Sequence, residues 1–309
     1  MKQFFATIKN LHLTEFDIES FEFMPGLNIS KSLKIKESIL TEKNRAIIGI
    51  IETFFFENNN CFFHLEFEDN EQAFVGSSDI EILQLLLNWI DEVLKNSWLI
   101  KDNCIIIDTA YLISELNASS LRLEYQLTNS RGIVQEVTFS KDEIKGFERY
   151  HDRIENYLFG KDSGTLKFML NKNFSRIGRT LLFIKQAREA RNLAYKISNY
   201  CSALETLFST DSSELSHKLS ERIAFFLFPE FKKIETFKIM KKAYLVRSKL
   251  THGASLEQKQ IDLLGDLSEN IDSMLRFILN KIMRDENLVL VFDSDNTKVD
   301  IYFEELILG

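Results

Sequence analysis

A chain of 309 residues, 45% hydrophobic and 27% charged, is long enough for two ordinary domains or one large one, and its composition excludes a disordered chain. Two prolines and eleven glycines favour long helices and regular strands over loop-rich architecture. A net charge of −8 argues against a protein that grips nucleic acid with its whole surface, although a local basic face remains compatible with it. No run of about eighteen apolar residues occurs, since ILQLLLNWI is interrupted by Gln84 and Asn88, and the opening MKQFFATIKN lacks the apolar core of a signal peptide. Cys61, Cys104 and Cys201 are far apart and have no metal-ligand spacing, so they are expected to be reduced and buried. These readings predict a cytoplasmic protein with no membrane partner.

In chain order, residues 1–140 mix strand and helix signals. AIIGIIETFFF and CFFHLEFED flank residues 57–60 and read as a hairpin, because both runs are rich in β-branched and aromatic residues. Ser78 followed by DIEILQLLLNWIDEVLKNSWL predicts a capped amphipathic helix with Ile80, Leu83, Leu87, Ile90 and Leu94 on its apolar face. CIIIDTAYLI reads as a buried strand, and LRLEYQLT with IVQEVTF as a second hairpin around residues 129–132. SKDEIKGFERYHDRIENYLF predicts a helix linking the halves, and the turn formers of GKDSGTLKFMLNKNFS mark a boundary near 160–175. Beyond residue 176 strand signals vanish, and helical periodicity runs through 177–208, 212–228, 234–252 and 256–284. The expected organisation is α+β: a mixed sheet and helix domain over 1–160, a four-helix bundle over 176–285, and a C-terminal tail over 286–309 with a strand-like start.

The stretch TFKIMKKAYLVRSKLTHG, 236–253, organises the helical half. Ile239, Ala243, Val246 and Leu250 recur at helical spacing, and Gly253 suits the left-handed position just past a helix end. Ser255 with Gln258 reads as a capping box for the next helix. Arg247 and His252 lie off that apolar stripe, close to the helix end, and an exposed arginine and histidine there are candidates for chemistry on a phosphate.

SALETLF at 202–208, ELSHKLSERIAFFL at 214–227 and MKKAYLVRSKLTHG at 240–253 stand in the order that resembles the HEPN superfamily, and within it the Apea-like HEPN domains. The resemblance covers residues 176–285, and its R-x4-6-H signature falls on Arg247 and His252. It implies a metal-independent endoribonuclease, a hydrolase without cofactor, that cleaves RNA (tRNA among the candidates) in a cleft formed by two protomers. It further implies a toxin or an effector of bacterial antiviral defence, with a phage-derived or other trigger acting on the N-terminal domain. Arg247 and His252 are then catalytic, with Glu205 as a supporting polar group. Ser248 stands where many HEPN nucleases carry Asn, Asp or His, and Gly253-Ala254 does not continue the H-x-Y form of members silenced by nucleotidyltransferase antitoxins.

Such chemistry needs a base for the 2′-OH, an acid for the leaving 5′-oxygen and positive charge for the transition state. Imidazole suits the first two roles near neutrality, and the planar guanidinium fork suits the third. One His252 per chain does not easily perform both proton transfers, so a two-fold homodimer supplies the second. Five residues of α-helix turn about 140°, so the two residues share a face only if the helix ends at the histidine. The local excess of Lys232, Lys233, Lys238, Lys241, Lys242, Arg247 and Lys249 over Glu235 reads either as an RNA track or as a solvated face. Ser248, Lys249, Lys241, Lys242 and Arg191 are the RNA-contact candidates. Against the enzyme stands a plainer alternative, in which Arg247 pairs with an acidic neighbour, His252 caps its helix, and the module binds RNA or a protein partner without cleaving.

Overall fold

The computed structural model describes residues 1–14, 20–58, 61–68, 71–114, 117–158, 174–211 and 215–309. They form two compact units, Met1–Gln126 with Gln135–Arg149, and Leu127–Val134 with Tyr150–Gly309. The boundary expected over 160–175 lies almost entirely outside the described residues.

The first unit is built on strand β1 (Lys2–Lys9). Successive side chains of a strand face opposite ways, and both faces of β1 are covered: Phe4, Ala6 and Ile8 enter one core, while Phe5 enters another. This explains a strand that is apolar without alternation. After it come β2 (Leu11–Leu13), β3 (Ser20–Met24) and β4 (Leu27–Ser30), then three short helices, α1 (Leu33–Ile39), α2 (Glu42–Ile48) and α3 (Ile50–Asn58). β5 (Phe62–Phe67), α4 (Asp79–Asn96), β6 (Ile106–Ile113), β7 (Ala118–Arg122), β8 (Val137–Phe139) and α5 (Lys141–Lys145) complete the unit. The sheet order is β3-β4-β5-β1-β6-β7, antiparallel throughout, with Phe5 opposite His64 on one side and Tyr111 on the other. β2 and β8 form a separate parallel pair.

Helix α4 starts at the expected cap, Ser78, which forms a capping box with Glu81, and it buries Leu83, Leu87, Ile90 and Leu94 against the Phe4 face. Ile80 lies outside that face and is exposed. The opposite face is covered by Ile39, Ile48 and Phe56 from the three short helices. Here the sequence expectation is corrected: 45–56 is helical, not a strand of a hairpin. Thr41 caps α2, Gly49 interrupts the helix at φ +96°, and Ile48, Thr53 and Phe56 turn inward while Ile47, Ile50, Ile51 and Phe54 are exposed. Apolar residues on both sides of a helix erase the 3.6-residue period and imitate a strand. The second expected hairpin is also absent. A turn does close at Asn129, which accepts the Gly132 N–H at 2.9 Å, but β8 pairs with β2 and β7 pairs with β6.

The second unit is helical: α6 (His151–Leu158), α7 (Arg176–Glu189), α8 (Leu193–Phe208), α9 (Leu215–Leu227), α10 (Lys233–Thr251), α11 (Gln258–Asp262), α12 (Leu264–Arg284), α13 (Glu286–Phe292) and α14 (Asn296–Leu308). The continuous helix expected over 177–208 is two helices, because Asn192 caps a new start by accepting the N–H groups of Ala194 and Tyr195. The box after α10 is Glu257 with Gln260, not Ser255 with Gln258. α8 lies at the centre, against α7, α9, α10 and α12. The 286–309 stretch, expected as a tail with a strand-like start, forms α13 and α14, whose Phe292 and Phe303 are buried, Phe292 ring-packed on Phe208 and Phe226 and Phe303 on Phe208.

Residues 127–134 strap this unit. Thr128 donates its N–H to Arg188 O at 2.8 Å and its hydroxyl to Ala190 O at 2.9 Å, satisfying carbonyls at the end of α7. Arg131 pairs with Asp266 and Glu269 of α12. Gly132 has φ +74°, and a Cβ there would stand 2.6 Å from the Arg191 carbonyl. Only glycine meets both demands.

All three cysteines are buried and outside any disulfide, as their spacing implied. Among the described residues no helix is long and apolar enough to cross a membrane.

Candidate functional site

Helix α10 ends as its sequence predicts. His252 is the C-cap, its N–H bonded to Ser248 O at 3.0 Å, and Gly253 follows at φ +68°. Its inward face is not the expected stripe, however. Thr236, Met240, Ala243 and Tyr244 are the buried set, Val246 is buried beside them, and Ile239 and Leu250 are only half-buried. Arg247 is the next position of that inward stripe and is itself half-buried, which corrects its assignment to a face away from the core.

What Arg247 meets there is Glu205, in the last turn of α8. Its Nη1 donates to Glu205 Oε1, and the Tyr244 hydroxyl donates to the same oxygen at 3.0 Å. Burial outweighs both bonds and pushes the Glu205 carboxyl above its usual range. Burial, then the neighbouring Cys201 and Glu205, drives the Tyr244 phenol far up, so it stays a donor; burial likewise keeps the Cys201 thiol protonated. One carboxylate oxygen thus fixes the guanidinium, which has five donors, and leaves others for a ligand.

Arg247 and Glu205 open on a cleft of about 1340 Å³, which takes its other walls from the start of α7, the end of α8 and the turn between α13 and α14. Arg176 and Arg179 line it from α7. Arg176 donates to the carbonyls of Thr206 and Ser209, both at 2.9 Å, capping α8 at its C-terminus, and reaches the Asn296 side chain. Sequence reasoning missed Arg176, Arg179 and Tyr244. Two arginines in the opening turns of a helix, where carboxylates are favoured and none occurs in the first, were the available signal.

The remaining candidates lie elsewhere. His252 is exposed and does not line the cleft. Ser248 is exposed beside it. Lys249 is bound into the loop after α10, donating to Ser255 O at 2.8 Å and to Gln260 Oε1 at 3.4 Å. Lys241 donates to Ser216 Oγ at 3.2 Å, and Lys242 is exposed. Arg191 is exposed at the α7–α8 junction. None of these residues lines the cleft. Elsewhere, the possible ligand atoms of His151, Asp152 and Glu155 at the start of α6 lie within 4.8 Å of one another.

Compared with known proteins, the chain matches no protein-family model, no curated protein and no solved structure.

Proposed function

We propose that the protein is an endoribonuclease of HEPN type that acts without a metal ion, as a dimer, and serves as a toxin or antiviral effector whose N-terminal unit receives the trigger. The observation that carries this reading is Arg247: a half-buried guanidinium, clamped by Glu205, facing a large cleft five residues before an exposed histidine. In the proposed mechanism Arg247 holds the non-bridging oxygens of the scissile phosphate. His252, at a helix end where Gly253 frees its direction, exchanges the proton of the 2′-OH or the 5′-oxygen, and a second copy of the chain brings the other imidazole.

Arg247→Ala and His252→Ala are each expected to abolish cleavage of RNA while leaving a folded circular-dichroism spectrum; the thermal midpoint should stay near that of the parent chain for His252→Ala and fall for Arg247→Ala, which takes the guanidinium from the largely buried Glu205. Activity per chain should also fall on dilution through the dimer dissociation range. Cleavage that survives both substitutions contradicts the proposal.

A second reading has its own observation. Arg247 already has an acidic partner and His252 already occupies a helix cap, so both residues have a place in a catalytically silent module that binds RNA or a protein. RNA bound but never cut by the intact chain would favour it.

A further inference from the structure

The sheet of the first unit ends at β7. Among the described residues β7 pairs with β6 alone, from Thr109 opposite Arg122 to Ile113 opposite Ala118, so the outward N–H and C=O groups of this edge have no strand to bond. Proteins usually guard such an edge with lysine, proline or a bulge. Residues 118–122, ASSLR, contain neither residue, and their register with β6 is unbroken. A groove of about 450 Å³ is lined by all five residues of β7 and, from the short helices α2 and α3, by Ile47, Ile48 and Glu52.

The side chains of this groove describe what fits it. Tyr111 lines it from β6; the residue is 5% exposed and its ring stacks on Phe5, yet its hydroxyl has no hydrogen-bond partner among the described residues. Burial above all, then Glu52 and Asp108, pushes the phenol up to about 12, so it stays a donor in need of an acceptor. Glu52 and Glu124, both exposed in the lining, have no ion-pair partner among the described residues. Arg122 is already held 3.3 Å from Asp108, which Lys9 also binds at 2.7 Å. The unanswered charge is therefore negative: it repels phosphates and favours a basic ligand. α2 and α3 also expose Ile50, Ile51 and Phe54, apolar side chains that suit a protein partner rather than a small solute.

We propose that the outer edge of β7 is the docking site of an extended, basic polypeptide segment, which adds one more strand to the sheet, brings lysine or arginine to Glu52 and Glu124, and offers the Tyr111 hydroxyl an acceptor. An unpaired strand edge is matched by another extended backbone, whose N–H and C=O groups recur at the same spacing. As the place where a trigger meets the N-terminal unit, the site rests on the ribonuclease reading; as a docking edge it stands without it.

The test uses the full chain and no RNA. An array of capped heptapeptides that permutes Lys, Thr and Val over every position is probed with the labelled chain, and the strongest binder, which should contain Lys, is then measured by fluorescence anisotropy. N-methylating alternate residues of that peptide should abolish binding in one phase and leave it within about twofold in the other, because only one side of an added strand bonds to β7. Glu52→Gln and Glu124→Gln should each weaken binding about two- to fivefold, the worth of an exposed ion pair. Tyr111→Phe keeps the ring and its stack on Phe5; it should weaken binding about fivefold without lowering the thermal midpoint, since the hydroxyl it removes has no partner in the free chain. An array without a binder, binding that tolerates N-methylation in both phases, or binding left unchanged by all three substitutions overturns the docking site. Cleavage of RNA with and without the bound peptide is read separately: an equal rate overturns the trigger role and keeps the docking edge, and RNA left whole in both samples sinks the ribonuclease reading and keeps the docking edge too.

Discussion

Glu205 is the residue on which the site turns. Its carboxyl is pushed up by burial and drawn back by Arg247 and Tyr244, with burial prevailing. A carboxyl whose folded pKa is raised binds more protons in the folded than in the unfolded chain. Its contribution therefore favours folding below the ordinary carboxylate range and is lost as pH rises from there through the raised value. Glu205→Gln keeps an acceptor for Arg247 and Tyr244 but removes the titration. Chemical denaturation at several pH values should show this component of the pH dependence in the parent chain and not in the variant; identical pH profiles would show that Glu205 titrates normally. At the same scale, the buried Arg222 donates to Phe208 O at 2.8 Å and pairs with Asp300 of α14. Burial raises the Asp300 carboxyl, but the bonds from Arg222 and Thr210 prevail and hold it below its usual range. The Arg222 side chain is 4% exposed while Asp300 is 34% exposed, so Arg222→Met is expected to cost about 1–3 kcal/mol in unfolding free energy, chiefly because the Phe208 carbonyl loses its donor. An unchanged denaturation midpoint would mean that the Phe208 carbonyl is satisfied by water.

At the scale of elements, legibility followed periodicity. α4 and α10 could be read because each has a start or stop signal, and their ends fall where Ser78 and Gly253 put them; the apolar face was read correctly for most of α4 but only in part for α10, where Ala243 and Val246 are buried and Ile239 and Leu250 are not. α2 and α3 could not, because Ile50, Ile51 and Phe54 face outward while Ile48 and Phe56 face inward, and a strand-like composition hid two helices. The split of 177–208 depended on one side chain, Asn192, whose capping oxygen is unremarkable in sequence. Arg247 and His252 stood out in the sequence at a helix end, and Glu205 was named only by the HEPN resemblance; the inward turn of Arg247 required the register of α10, and Arg176 and Arg179 required the fold. The strap of 127–134 was read only as a hairpin turn. Its closest contact gives a prediction: Gly132→Ala should lower stability by at least about 1–3 kcal/mol, since the substitution strains a positive φ and drives a methyl group into the Arg191 carbonyl. Urea denaturation checks it, and a neutral outcome would mean that the strap moves freely.

For the whole molecule, an α+β chain places its antiparallel sheet in one unit and its charged cleft in the other, so the cleft and its walls belong wholly to the helical unit. That unit includes its last residues. Phe292 packs its ring against Phe208, Phe226 and Phe303, and Phe292→Ala should cost about 3–5 kcal/mol, the usual range for emptying a buried aromatic site. A loss near zero would return 286–309 to the status of a dispensable tail. The proposed cleavage of RNA by side chains alone is tested most directly by incubating the purified chain with RNA in excess EDTA and identifying the new termini by mass spectrometry. Fragments ending in 2′,3′-cyclic phosphate are expected, and none with Arg247→Ala. RNA that remains whole, or is cut equally by the Arg247→Ala and His252→Ala chains, would contradict it.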